Sequence, residues 1–194
     1  MAAKSGSRDP DRNPSGHLGS RKTEPPPSYP SIFNDVIGPV MRGPSSSHCA
    51  AALRIGRIAR ALMGEKISNV MIEFDPQGSL ATTHQSQGSD MGLCGGFLGW
   101  EATDVRLVDA PLAIRKAGIQ ITIRLVSLGT VHPNTYQMTL SNLTEEHELT
   151  AISTGGGMIE VVAIDQFKVS IAGDYYEILF YLDAKGHEGV DAFG

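Results

Sequence analysis

The chain has 194 residues, 41% of them hydrophobic, with 16 basic against 21 acidic residues and a net charge of −5. That length carries one domain with a real core, and the acidic balance argues against a nucleic-acid binder or a polybasic membrane binder. No apolar run approaches the roughly 20 residues of a membrane span and the N-terminus shows no signal-peptide core, so a cytoplasmic protein is expected.

Residues 1–30 scatter Lys4, Arg8, Arg12, Arg21 and Lys22 among Ser, Gly and Asp, with the run Pro25-Pro26-Pro27 and almost nothing apolar. Such a composition reads as a disordered arm. Order is expected from Ser31, where Ile32, Phe33, Val36 and Ile37 make one apolar helical turn before Gly38-Pro39 stops it.

The next stretch, Gly43-Pro44-Ser45-Ser46-Ser47-His48, packs hydroxyls and an imidazole directly ahead of an apolar-periodic segment. Pro44 fixes its own backbone and pushes Gly43 out of helical geometry, so the chain arrives extended and Ser46 or Ser47 can cap a helix beginning near His48. Unpaired first-turn amides, the helix dipole and the hydroxyls together favour a carboxylate or phosphate there. The same positive helix end disfavours imidazolium, which suits His48 to accept a proton. Read on residue types alone, an ordinary capped helix start with an exposed histidine accounts for the stretch equally well. A Ser-His hydrolase fits less well, since sequence neighbours rarely face each other and no G-x-S-x-G elbow is present.

The main helix is predicted from about Ser47 to Met63, with Ile55, Ile58, Ala59 and Leu62 on one stripe, Arg54, Arg57 and Arg60 off it, and Gly64 as its stop. Ile67 to Asp75 reads as a strand ended by Pro76-Gln77-Gly78, and Gly78 to Thr83 as a short partner strand. The polar loop from His84 to Asp90 feeds a helix from Met91 to Leu98, capped by Ser89 or Asp90. Gly92, Gly95, Gly96 and Gly99 are poor for an isolated helix, so close backbone approach to another element is their expected reason.

Val105 to Ala117 is predicted as one helix, opened by Thr103 or Asp104, kinked near Pro111 and stopped by Gly118. Ile119, Ile121, Ile123 and Leu125 alternate with polar residues as in a sheet with one buried face. Pro133 forces His132 extended in Val131-His132-Pro133-Asn134-Thr135, and Asn134 offers a two-sided amide ahead of a strand from Tyr136 to Leu140. Leu149 to Ser153 and Met158 to Ile164 are strands flanking Gly155-Gly156-Gly157, which permit positive φ and a nest of bare amides for an anionic oxygen. His147 falls in a charged turn and takes no role. Phe167, Val169 and Ile171 form a further strand after the Asp165-Gln166 turn, and Glu177 to Asp183 the last. Cys49 and Cys94 make neither a disulfide framework nor a C-x-x-C site, and two thiols cannot hold an iron-sulfur cluster by themselves. Both read as small buried hydrophobes, although a thiol at a helix N-terminus, such as Cys49, is placed for a lowered pKa.

Five segments, in order, resemble the beta chain (beta domain) of iron-sulfur-dependent L-serine dehydratase. They are Ile37 to His48 with its Gly-Pro-Ser-Ser-Ser-His core, Ala52 to Arg60, Gly78-Ser79 to Asp90, Val131 to Thr135, and Ser153 to Gly157. The resemblance covers 31–181 and leaves 182–194 as a tail similar to the truncated start of an ACT-type domain. It implies an α+β two-layer sandwich, a mixed sheet with helices on one face, similar to the allosteric substrate-binding domain of phosphoglycerate dehydrogenase. It also implies deamination of L-serine to pyruvate and ammonia, with a 4Fe-4S cluster acting on the leaving hydroxyl.

The cluster cysteines belong to the alpha chain of that family, so the resemblance implies a split enzyme whose partner is an alpha chain, with a homodimer of this chain also compatible. It places His48 as catalytic and Ser45, Ser46, Ser47, His132, Asn134, Gly155, Gly156 and Gly157 around the substrate. The departures are in the polar loop, where the family pattern Lys-Gly-His-Gly-Thr-Asp is here Gln85-Ser86-Gln87-Gly88-Ser89-Asp90, without its cation and imidazole. They leave two alternatives: a non-catalytic module that binds a small carboxylate, or a related lyase for another β-substituted amino acid.

Overall fold

Three glycines decide how the helices meet. In the computed structural model, which describes residues 42–129 and 132–181, helix α1 (Ser46–Leu62) lies against helix α3 (Ser89–Phe97). A Cβ at Gly92 would stand 2.3 Å from the Cys49 carbonyl oxygen, one at Gly96 2.4 Å from that of Leu53, and one at Gly56 2.7 Å from that of Leu93. No side chain fits at those distances, so the two backbones touch. The glycines that weaken α3 as an isolated helix are what let it dock, as expected from the sequence.

Beneath the helices runs a six-stranded sheet ordered β2-β1-β3-β4-β5-β6, from β1 (Asn69–Phe74), β2 (Gln120–Leu125), β3 (Thr135–Ser141), β4 (Glu146–Gly155), β5 (Met158–Ile164) and β6 (Phe167–Ile171). β1 and β2 pair in parallel, and every other neighbour is antiparallel. The parallel pair requires a crossover, supplied by α2 (Leu80–Thr83), α3 and α4 (Ala110–Lys116). The core lies between the helices and one sheet face. Ile55 and Ala59 of α1 and Leu93 and Phe97 of α3 meet Val70, Ile72 and Phe74 of β1, Tyr136, Met138 and Leu140 of β3, and Leu149, Ala151 and Val161 of the next two strands. The fold is therefore the expected mixed sheet with helices, an α+β domain. Among the described residues no helix is long and apolar enough to cross a membrane.

Several local expectations are corrected. Gly78 to Thr83 is no strand, because β1 already has partners on both sides and the Ser79 amide is claimed by the Pro133 carbonyl at 2.9 Å, after which α2 begins. Helix α1 starts at Ser46 with Ser45 at its cap position, and Gly88, at φ +87, occupies that position for α3 in place of Ser89 or Asp90. Residues 105–117 split into a 3-10 turn, Val105–Asp109, and α4. Pro111 sits in the first turn of α4, where its missing N–H costs nothing, and so does not kink a longer helix. Asp104 does cap the 3-10 turn, accepting the Arg106 amide.

His147 belongs to β4 and faces Leu140 across the β3–β4 ladder, outside any turn. Residues 177–181 form no strand, and 182–194 lie outside the described residues, as do the arm, the helical turn over 31–37, and Val131. The Asp165-Gln166 turn is confirmed, with φ of +48° and +70° closing a tight β5–β6 hairpin.

Two carboxylates hold the strand connections. Asp75 accepts the amides of Gln77 and Leu128, each at 2.9 Å, and these hold its carboxyl below the ordinary value despite some desolvation. Burial works against Asp165, but the Glu148 amide, His147 and the Tyr181 hydroxyl outweigh it and also depress its pKa.

Gly92→Ala is expected to destabilise the fold by about 1–3 kcal/mol through forced separation of α1 and α3, to be measured by urea unfolding. For both aspartates the folded pKa is lowered. Their contribution is complete above about pH 3.9 and is lost as pH falls through the folded values, so melting temperature should drop in acid, and Asp165→Asn should flatten that drop.

Candidate active site

The tips of α1 and α3 meet at one end of the molecule. Ser45 reaches α1 in extended geometry, at φ −111° and ψ 110°, because Pro44 and Gly43 deliver it that way. Its amide donates to the Gln87 carbonyl at 3.2 Å, and a Cβ at Gly88 would lie 3.1 Å from Pro44 Cδ. The loop before α3 is thus laid against the entry to α1. Among the described residues no side chain caps α1, the amides of Ser46, Ser47 and His48 have no intrahelical partners, and the first closing bond runs from the Cys49 amide to Ser45 O at 3.0 Å.

The Ser45 hydroxyl turns to His48 instead of capping, with Oγ 2.9 Å from Nδ1 and 3.4 Å from Ser47 Oγ. Three residues of separation on a first helical turn bring the two groups together, a contact that the expectation about sequence neighbours did not foresee. His48 is half-buried. A hydroxyl–imidazole pair beside free amides and a helix dipole combines an anion seat with a proton-handling group.

His132 and Asn134 form a second polar turn. The Asn134 amide donates to His132 Nδ1 at 3.2 Å and Thr135 Oγ1 donates to the His132 carbonyl at 2.7 Å. With Nδ1 accepting, the ring's own proton in the neutral form lies on Nε2, which becomes a donor. Ser79, the residue immediately before α2, ties this turn down: its hydroxyl donates to Asn134 Oδ1 and its amide to Pro133 O. The sequence pattern predicts Ser79 in a short strand, and no spacing signal marks it as a partner of Asn134, 55 residues away.

The segment from Ser79 to Ser89 is what joins the two halves. One end bonds the His132–Asn134 turn, and Gln87 bonds Ser45. Ser89, wholly buried, meets the Tyr136 hydroxyl at 3.2 Å. Burial, only partly offset by that hydrogen bond, pushes the Tyr136 hydroxyl up to about 12, so it stays protonated. His84, between Ser79 and Gln87, pairs with Asp90 in the first turn of α3, with Nδ1 2.7 Å from Oδ1.

The triple glycine is placed differently. Gly155, Gly156 and Gly157 all take positive φ at +109°, +61° and +86°, as foreseen, and turn β4 into β5. They connect to the His132–Asn134 turn through the Ser153 amide, which donates to Asn134 O at 3.0 Å. The Gly157 carbonyl, however, accepts from Arg54 at 3.4 Å, and Gly156 and Gly157 line a groove of about 1040 Å³ with Arg54, Arg57 and Asp174. Among the described residues no hydrogen bond joins this turn directly to Ser45, Ser46, Ser47 or His48.

The thiols do not fit a cluster. Both cysteines are buried, Cys49 at 2% and Cys94 at 6% exposure. Desolvation raises both thiols, Cys94 to about 12, which corrects the lowered value foreseen for Cys49: its burial outweighs its place near the helix N-terminus. A 4Fe-4S cluster takes four thiolates, and this sequence has two cysteines in all. Among the described residues no group of three or more His, Cys, Asp and Glu is placed to hold a metal.

Fold and site together define an α+β domain that presents free helix amides, hydroxyls and imidazoles at one edge while lacking the thiolates of a metallocluster. Over 151 residues the chain is 42% identical to the probable L-serine dehydratase, beta chain, of Bacillus subtilis (strain 168), covering 78% of this chain and 67% of that protein. It is 34% identical over 155 residues to the L-serine dehydratase, beta chain, of Peptoniphilus asaccharolyticus, covering 78% and 69% respectively. No family model matches. The chain belongs to the family of L-serine dehydratase beta chains, as the ordered motifs had implied.

Tyr136→Phe should cost about 1–3 kcal/mol, because it strands the buried Ser89 hydroxyl. Chemical denaturation would read the loss, and the double variant Tyr136→Phe with Ser89→Ala should recover part of it.

Proposed function

We propose that the chain is the beta subunit of a cytoplasmic iron-sulfur L-serine ammonia-lyase, which turns L-serine into pyruvate and ammonia. A cysteine-bearing alpha chain supplies the 4Fe-4S cluster and completes the site, and this chain alone is inactive. The observation that carries this reading is the uncapped tip of α1, whose Ser45 hydroxyl engages His48 beside three free amides. The kinship with two proteins named as beta chains supplies the reaction.

A carboxylate seated at the Ser46 and Ser47 amides and hydroxyls gains from the donors and from the dipole. His48, gripped at Nδ1 by Ser45, turns Nε2 to the bound amino acid and accepts a proton from its ammonium group. His132, donating from Nε2, and Asn134 hold the remaining polar groups of the substrate. The amides of Gly155, Gly156 and Gly157 offer a nest for an anionic oxygen. Orientation of this kind is a large part of what a subunit without the metal can contribute.

The replaced loop residues favour a second reading, a non-catalytic module that binds a small carboxylate. Gln85 and Gln87 bring no charge to the seat.

Anaerobic co-expression with an alpha chain, followed by a serine-to-pyruvate assay, separates the two. The catalytic reading expects activity only in the pair and a fall of at least about 100-fold in His48→Ala. Serine binding without turnover in the wild-type pair selects the regulatory module.

A further inference from the structure

His84, inside the segment that joins the two halves of the site, and Asp90, in the first turn of α3 just beyond it, form an imidazole–carboxylate pair that the reading above leaves without work. They are tied at two points. Nδ1 of His84 lies 2.7 Å from Asp90 Oδ1, and the Asp90 amide donates to the His84 carbonyl at 3.2 Å. The ring is further steadied by Phe74, whose centroid is 5.2 Å away and which is itself sealed in the core against the edge of Tyr136. A histidine held by a carboxylate at one nitrogen and by an aromatic ring at its side has little freedom left.

That arrangement fixes the tautomer. A carboxylate can only accept, so Nδ1 of the neutral ring carries the proton and Nε2 carries the lone pair. Among the described residues Nε2 has no hydrogen-bond partner, although the His84 side chain is only 20% exposed and that of Asp90 25%. Carboxylate, oriented imidazole and free Nε2 form the acceptor half of a proton-transfer site. A surface ion pair with the same atoms would contribute little to stability, and this one sits where neighbours bond into the site on both sides: Ser79 to Asn134, and Gln87 to Ser45. His132 differs, since its Nδ1 accepts and its Nε2 is a donor.

We propose that His84, oriented by Asp90, takes the α-proton of the bound amino acid. The proposal rests on the lyase reading and deepens it by assigning the proton on carbon. The Cα–H bond breaks and its proton bonds to Nε2 of His84; the electron pair becomes the Cα–Cβ π bond. The Cβ–O bond breaks, and the departing hydroxide takes the proton back from Nε2 and leaves as water. Atoms and charge balance without a further reagent. Asp90 is a positioning residue that keeps the lone pair on Nε2.

His84→Asn keeps a side-chain amide where Nδ1 was, so the bond to Asp90 survives while Nε2 is removed. In the wild-type pair of beta and alpha chains, this variant should lose at least about 100-fold in kcat with KM changed by no more than about threefold. Asp90→Asn should also lower kcat, and long-range nitrogen–proton NMR of the full wild-type chain should find the His84 ring proton on Nδ1. A ring proton on Nε2, or a His84→Asn pair that turns over serine at the wild-type rate, overturns the proposal and leaves the lyase reading standing. A wild-type pair with no serine-to-pyruvate activity removes that reading and the proposal with it. Should His84→Asn fail to fold, the wild-type tautomer and the kcat of Asp90→Asn still decide: Nδ1 protonation with a fallen kcat supports the proposal, and either result missing overturns it.

Discussion

The contact of α1 with α3 is the constraint on which everything else hangs. Backbone meets backbone at Gly92, Gly96 and Gly56, and that closeness draws the N-terminal ends of two helices to a common edge. Because Ser45 then lies within reach of the Gln87 carbonyl, the loop before α3 becomes part of the entry to α1. A pair of helices separated by ordinary side chains would stand some angstroms further apart, and the hydroxyls of one tip would no longer share a surface with the imidazole and carboxylate of the other.

The sheet does a different job. β3 starts at Thr135 in the middle of the core, with Tyr136 fully buried, so the His132–Asn134 turn just ahead of it is carried on a rigid strand. Ser79 clasps that turn from the far side of the crossover. Polar groups that come from residues 45, 79, 84, 90, 132 and 134 are thereby held by core elements and by hydrogen bonds among themselves. Precision at such a site comes from rigid elements and their supporting hydrogen bonds.

What this chain lacks chemically is as informative as what it holds. Its cysteines are packed inward and their thiols are raised by burial, so the softness and charge that a metallocluster demands are not offered. The polar edge offers amides, hydroxyls and imidazoles, the groups that seat a carboxylate and move protons. In the function proposed above, the metal belongs to one polypeptide and the acid–base scaffold to another.

Local patterns were legible from the residues. The stripe of Ile55, Ile58, Ala59 and Leu62, the alternation in β2 as far as Ile123, the stop at Gly64 and the positive φ of the triple glycine all follow from periodicity and from backbone sterics, which act over a few residues. The ordered motifs also carried the family. Tertiary structure decided what depends on contacts far apart in the chain: α2 where a strand had been drawn, because β1 finds β2 and β3 as partners instead, His147 inside β4, and the 3-10 turn ahead of α4. It alone turned Ser45 toward His48 at the expense of capping, placed Gly157 against Arg54, and brought His84 to Asp90. A contact such as that of Gly157 with Arg54 arises only after the chain has folded back on itself, so no window of sequence contains it.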